Sequence, residues 1–295
     1  MAFEIPDHYS RSFTTNVELL LQQEDSRFSD CVTQATYTGE QAQVVKQFGE
    51  VEFQEKTSRL ADTNFSEIEH RQRWAFPTDY DLALPVEKED EIRMLDSPVS
   101  PYTSAMSAAW NRKKDAVIVA AALGTAKTGK NGGTSTSFDS TNFQVAVDFV
   151  LAGGTLTSGL TIAKLTEAKR MLDAAECPMM GRYFGAGSTQ FQDLLNTTQI
   201  TSADYNTVKA LVNGEVDTFL GFKFKRYEGF TSASSVRSCI AWHKTGLHLG
   251  TWNGLETKIG ERPDKKYLVQ VFMKGTVGAT RTNEEKVVEV LCSEA

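Results

Sequence analysis

The run Gly124-Thr-Ala-Lys-Thr-Gly129-Lys130 has the GxxxxGK spacing with which a glycine-rich loop cradles phosphates, so nucleotide hydrolysis is the first chemistry this sequence raises. The next positions argue against it. Asn131 stands where Ser or Thr would hold magnesium, and Gly-Gly-Thr-Ser-Thr-Ser follows where a helix N-terminus must face the phosphates. Val145-Ala146-Val147-Asp148 is the nearest offer of a metal-binding strand, and such tetrads are common by chance. The loop reads as a linker.

Other reactive side chains are as weakly arranged. His243 and His248 lie five apart beside Trp242 and Trp252, whereas ligand pairs on a helix prefer a spacing of four. Neither has a carboxylate within three residues, so both read as hydrogen-bonded structural histidines. The acids Glu87, Glu89, Asp90 and Glu91 read as a solvated turn rather than an ion site. Cys31, Cys177, Cys239 and Cys292 are far apart, with no CxxC spacing, and are expected as buried thiols. No GxSxG or HExxH motif occurs. The expectation is a protein that is not an enzyme and carries no cofactor or metal. Arg71-Gln72-Arg73-Trp74 could stack on nucleic acid, but Glu50 and Glu52 are available to it, which favours a contact with protein.

Composition agrees with a structural role. A chain of 295 residues, 40% apolar and 10% aromatic, can bury one large core or two smaller ones. A formal charge of -7 argues against clamping DNA phosphates, although it permits proximity to DNA. No apolar run is long enough to span a membrane, and MAFEIPDHYSRSF has acids where a secretory signal would be basic and apolar, so a cytosolic product is expected.

The elements that must organise these residues are α+β. Residues 1 to about 30 form a polar arm with one short helix, Val17 to Gln23. Alternation in Glu50-Val51-Glu52-Phe53 and in Glu69 to Phe76 predicts a long hairpin. In it Glu50 and Glu52 face Arg71 and Arg73, Val51 and Phe53 pack with Trp74 and Phe76, and Gly49 marks a bulge. Ser100 as N-cap, Pro101 at the first helical position and Gly124 as a left-handed stop bound a long helix. Its inward stripe is Met106, Ala109, Trp110, Val117, Ala120 and Ala121, with Asn111, Arg112, Lys114 and Asp115 opposite and its last two turns enclosed on every side. A polar Gly/Ser/Thr/Lys tract runs from Thr125 to Thr141, and Phe143 to Leu151 is a strand. Thr161 caps a helix to Ala175, and Ser188 and Ser202 start two more. Phe219 to Tyr227 and Ser238 to His243 are strands, a helical turn lies near Gly246 to Thr251, and the C-terminus is β-rich.

This order of elements resembles the major capsid proteins of tailed bacteriophages with the Hong Kong 97-type fold. The residues that carry the likeness are Asp96-Ser-Pro98, Arg112-Lys-Lys-Asp115, Ala121-Ala-Leu-Gly124-Thr-Ala and Thr128-Gly129. Leu165-Thr-Glu-Ala-Lys-Arg-Met-Leu172, Leu211-Val-Asn-Gly214, Leu220-Gly-Phe-Lys223 and Gly278-Ala-Thr-Arg281 extend it over most of the chain. The resemblance implies an N-terminal arm (1–35), an extended hairpin loop (36–97), a peripheral-domain spine helix (98–124), a flexible linker (125–142), an axial domain (143–251), peripheral strands (252–283) and a strand returning to the axial domain (284–295). It implies a shell of pentamers and hexamers around double-stranded DNA, with no sequence-specific binding and no membrane. A separate scaffolding protein, a portal protein and an optional cement or decoration protein are the implied partners. The protein would reside in the virion capsid after assembly in the bacterial cytoplasm. Glu50, Glu52, Phe53, Arg71, Arg73 and Trp74 are the intersubunit contacts this reading selects, and Lys46 and Lys56 are lysines that can reach a neighbour. A nanocompartment shell of the encapsulin type is the nearest alternative. A nucleotide-hydrolysing enzyme built on the Gly124 loop is the remote one.

Overall fold

A computed structural model describes residues 22–55, 58–59, 65–86, 99–150, 157–196 and 218–294. The expected features at 1–21, Asp96-Ser-Pro98, the acids Glu87 to Glu91 and the helix after Ser202 lie outside the described residues, as does Lys56.

The longest helix, α1 (Val99–Leu123), has 25 residues, or about 37 Å at ~1.5 Å per residue. It starts one residue before the position read as its cap. Its buried face is Met106, Ala108, Asp115, Ile118 and Ala122, while Ala116 and Ala120 are exposed. The inward stripe therefore differs from the expected one, and the last turns are not enclosed all round. The reason is that the helix serves two partners in succession. Met106 packs with Val271 and Met273, whereas Ile118 and Ala122 join Phe28, Trp242, Leu249 and Val277. Gly124 ends the helix without a left-handed turn: its N–H donates to Ala120 O at 2.9 Å. A Cβ there would lie 2.5 Å from that oxygen, which explains the glycine.

Against α1 lies the long sheet, ordered Thr33–Thr36, Leu247–Arg262, Leu268–Arg281, Thr78–Val86. The first strand is parallel to its neighbour, and the other pairings are antiparallel. Leu247–Arg262 is one strand of 16 residues, so the helical turn expected near Gly246 to Thr251 shrinks to a 3-10 turn at Lys244–Gly246. Close approach fixes two glycines: a Cβ on Gly275 would meet the Trp110 ring at 2.5 Å, and one on Gly278 would lie 2.1 Å from Phe76 O.

A seven-stranded sheet forms a second body. Its order is Gln144–Val145, Val287–Ser293, Val236–His243, Arg182–Ala186, Phe222–Arg226, Thr218–Phe219, with Ser232–Ala233 paired to Val236–His243 outside that path. Alternation along Val236–His243 sends Cys239 and Ala241 to one face and Ile240 and Trp242 to the other. The first face packs on α2 (Ile162–Ala174) and α3 (Ser188–Asn196) through Leu165, Leu172, Phe191 and Leu194. The second meets α1 and the long sheet around Phe28 and Trp242, whose rings are 5.5 Å apart.

Thr161 caps α2 as expected, accepting from the Lys164 N–H. The strand expected over Phe219 to Tyr227 is instead a tight hairpin. Leu220 and Gly221, with φ of 53° and 89°, turn the chain so that Phe219 faces Phe222. The strand expected from Phe143 to Leu151 is reduced to Gln144–Val145.

The third sheet orders Ala42–Phe48, His70–Ala75, Ala126–Thr128, Thr134–Thr136. The tract read as a mobile linker thus contributes two strands. Gly132, at φ 67°, turns against Phe76 and Trp74, 2.9 and 3.2 Å from where a Cβ would stand, so the tract is anchored by aromatic packing that its own composition does not reveal.

Candidate functional site

The hairpin pairs in a register that differs from the expected one. Ala42 faces Ala75, Gln47 faces Arg71 and Phe48 faces His70, with the bulge between Gln43 and Val45. Gly49 follows the ladder's last pair, its N–H donating to Glu69 O at 2.7 Å. Glu50, Glu52 and Phe53 lie beyond the ladder and are exposed, so they meet neither Arg71, Arg73 nor Trp74 of their own chain. Charge and apolar alternation permitted both registers; the anchoring of Trp74 and Arg73 in the body selects this one.

Arg71, also exposed, forms a two-point ion pair with Glu69 at 2.8 Å, and this hydrogen bonding holds the Glu69 carboxyl below its usual range. Trp74 donates from Nε1 to Gly129 O at 2.7 Å. Arg73 is buried, 3.1 Å from Glu284. Burial pushes its guanidinium pKa down, and Glu284 opposes that shift. Lys46 lies opposite Gln72, and Gln47 donates to Thr282 O at 2.9 Å. The root of the hairpin is therefore fastened to the body.

Its far end is not. Phe53 is 107% exposed and Phe65 93%, and Phe48, Val51 and Ile68 are also exposed. Burying one such ring contributes about 1.5–3 kcal/mol, so large apolar side chains left bare on a ribbon are candidates for burial against another surface.

Behind the root, Arg281 is fully buried. Its Nη1 donates to Ala122 O at 2.7 Å and Gly124 O at 2.8 Å, satisfying terminal carbonyls of α1, and its Nε donates to Glu284 at 2.5 Å. In the second half of α1, Asp115 is also fully buried, although the periodicity placed it outward. Its carboxylate accepts from Ser26 Oγ at 2.6 Å, from the Arg27 and Phe28 N–H groups at 2.8 and 3.2 Å, and from Gln23 Nε2. Asn111 and Arg112 hold Glu24 O and Gln23 O at 2.8 and 3.1 Å. The polar face of the helix is thus a clasp for the segment that leads to the N-terminus. Lys164, buried in the other body, donates to Val147 O, Ser158 O and Leu291 O at 2.9, 2.6 and 2.9 Å.

The reactive residues are in structural roles. His248 lies between Thr33 Oγ1 and Tyr37 OH, each at 2.9 Å, and His243 between Thr245 and Met180 O. Burial lowers both imidazole pKa values. All four cysteines are buried, and burial raises the Cys31 thiol to about 11. Gly124 to Asn131 follows a helix and enters a strand, the reverse of a phosphate-binding loop's context. Sequence reasoning missed Asp115, Lys164, Arg281 and Glu284 as structural centres. Two of them, Asp115 and Arg281, stand in stretches that carried the capsid resemblance.

No curated protein matches the chain in sequence. Among solved structures, the capsid of cyanophage P-SCSP1u is similar with a TM-score of 0.72 and 16% identity, covering 100% of this chain and 96% of that one. The capsid of cyanophage Pam1 gives 0.74 and 12%, covering 100% and 99%. The Mycobacterium phage Che8 structure gives 0.64 and 14%, covering 96% and 97%. At such identities the likeness establishes the fold, which is the Hong Kong 97-type capsid fold. Sequence adds the family, because the phage capsid protein profile matches residues 5–294, from the N-terminal segment through the returning strand. A profile match that runs along almost the whole length places this chain in the phage capsid protein family.

Proposed function

We propose that this chain is the major capsid protein of a tailed phage, closing as pentamers and hexamers into an icosahedral shell around double-stranded DNA. The observation that carries this reading is the apolar end of the hairpin, where Phe53 and Phe65 are bare in the single chain. An isolated ribbon of this kind is marginal in water and becomes stable on another surface. Obligate interfaces of more than ~2,000 Å², repeated over many subunits, would then resist internal pressure collectively.

In this reading α1 with the long sheet is the peripheral domain and the seven-stranded body is the axial one. Glu50, Glu52, Phe53 and the exposed Arg71 meet a neighbour, while Arg73 and Trp74 position the hairpin from inside. The charge of -7 keeps packaged DNA from adhering to the wall. A scaffolding protein, a portal protein and, on the exterior, a decoration protein complete the particle, which assembles in the bacterial cytoplasm. Coexpression with the scaffolding protein, followed by electron microscopy and nuclease-protection assay of infected-cell particles, tests this. Closed shells built of this chain that protect double-stranded DNA are expected; particles lacking the chain, or shells filled with an enzyme, would overturn the reading.

A further inference from the structure

Strand register gathers cations and hydroxyls on one face of the third sheet. Arg73 stands opposite Thr128, and Thr128 opposite Thr134. Arg71 and Thr136 lie two residues along from Arg73 and Thr134, so alternation sends them to the same side. There they line a cleft of about 470 Å³, and Lys130, from the turn between the last two strands, lines it as well and is exposed.

The charges under this cleft do not balance. Arg71 is matched by Glu69, but Arg73 and Arg281, both buried, share the single carboxylate of Glu284. Two buried guanidiniums against one carboxylate leave one positive charge over. Arg281 spends part of its charge on Ala122 O, Gly124 O and the Phe138 ring, 5.2 Å from its guanidinium carbon. Arg73 has no such outlet: among the described residues its Nε and Nη1 have no hydrogen-bond partner. Burial pushes its pKa down, and the charge of Arg281 adds to that against the pull of Glu284. A guanidinium stays protonated all the same, and buried donors of this kind are ordinarily completed by an acceptor.

We propose that this cleft binds a small doubly charged oxyanion of the inorganic phosphate type, held by the Arg73 guanidinium and the Thr128 and Thr136 hydroxyls, with Lys130 supplying the second positive charge. A guanidinium fork matches such an oxyanion with two parallel N–H bonds, and threonine hydroxyls add donors without adding charge. The site is not a nucleotide cradle, because Gly129-Lys130 joins two strands and presents no helix N-terminus to a ligand. An anion seated here ties the hairpin to the Thr128–Thr136 turn and, through Glu284 and Arg281, to the end of α1. Occupancy therefore stiffens the root of the hairpin. The inference concerns the single chain and does not rest on the shell reading.

Isothermal titration calorimetry of the purified full chain with inorganic phosphate, against chloride at matched ionic strength, tests it. One saturable site per chain is expected. Lys130→Gln, on an exposed turn, and Arg73→Lys, which keeps the charge but loses the fork, should each weaken binding by about tenfold or more. Lys265→Gln, at the exposed tip of the long sheet, should leave the affinity unchanged. Hydrogen exchange over His70–Ala75 and Ala126–Thr128 should slow on saturation, with Val236–His243 unaffected. Absence of saturable heat, an unchanged affinity in Lys130→Gln, an equal loss in Lys265→Gln, or uniform slowing of exchange would each overturn the site. If Arg73→Lys does not fold, Lys130→Gln and the exchange pattern decide.

Discussion

Arg73 and Arg281 meet on one carboxylate, Glu284 lying 3.1 Å from the first and 2.5 Å from the second. The first arginine belongs to the hairpin and the second to the long sheet, and the second also holds the terminal carbonyls of α1. Three elements far apart in sequence therefore share one buried ionic node. Its members hold one another in place, which makes the root of the hairpin rigid where its end is bare.

The node is expected to be costly to break from one side. Arg281→Met leaves the carbonyls of Ala122 and Gly124 without their donor and Glu284 with one arginine instead of two. Removing one partner of a buried pair costs roughly 3–5 kcal/mol. Denaturant unfolding of the dissociated subunit measures it, and a midpoint unchanged from the parent would contradict the assignment.

Asp115 is expected to act as a latch. Asp115→Ala removes the acceptor for the Arg27 and Phe28 N–H groups, at a cost of about 1–3 kcal/mol of local stability. Hydrogen exchange at those two amides should quicken by about tenfold or more, with the strand Val236–His243 unaffected. Uniform acceleration everywhere would indicate a global defect instead.

Acid should loosen the fold through its histidines. Burial depresses the folded-state pKa of His243 and His248 below 6.5, so the unfolded chain takes up protons first as pH falls. Their contribution is complete above about pH 6.5 and is lost as pH drops through the folded values. Thermal melts between pH 7.5 and about pH 5 should show the midpoint falling, with a shallower slope in His248→Gln. An identical slope in that variant would remove His248 from the account.

Glycine positions give a graded series. Gly278→Ala would push a methyl group against Phe76 O, a backbone atom that cannot step aside, and should cost about 3 kcal/mol. Gly132→Ala is opposed by both its φ of 67° and the Phe76 ring. Gly133→Ala meets nothing within 4 Å and should be neutral. Soluble yield and melting temperature should rank the three in that order.

Order of elements was legible in the sequence because caps, breakers and alternation are local: α1, α2 with its Thr161 cap, and the returning strand Val287–Ser293 stand close to where they were read. Burial was less legible. Asp115 has the helical phase of a solvent residue, and only the folding of Ser26 to Phe28 onto it, some 90 residues away in sequence, explains why it is inside. Hairpin register was ambiguous for the same reason. Glu50 and Glu52 suit Arg71 and Arg73 by charge, yet Arg73 is claimed by Glu284, more than 200 positions on. The Gly/Ser/Thr tract has a linker's composition because the aromatic partners that hold it, Trp74 and Phe76, come from another part of the chain.

Sedimentation velocity of the purified chain with the scaffolding protein proposed above should separate the parent from Phe53→Ser. Large, closed particles are expected for the parent, and a folded subunit with the parent's circular dichroism that stays small for the variant. A parent that remains monomeric at high concentration beside that protein, or a variant that assembles as well as the parent, would contradict the shell reading.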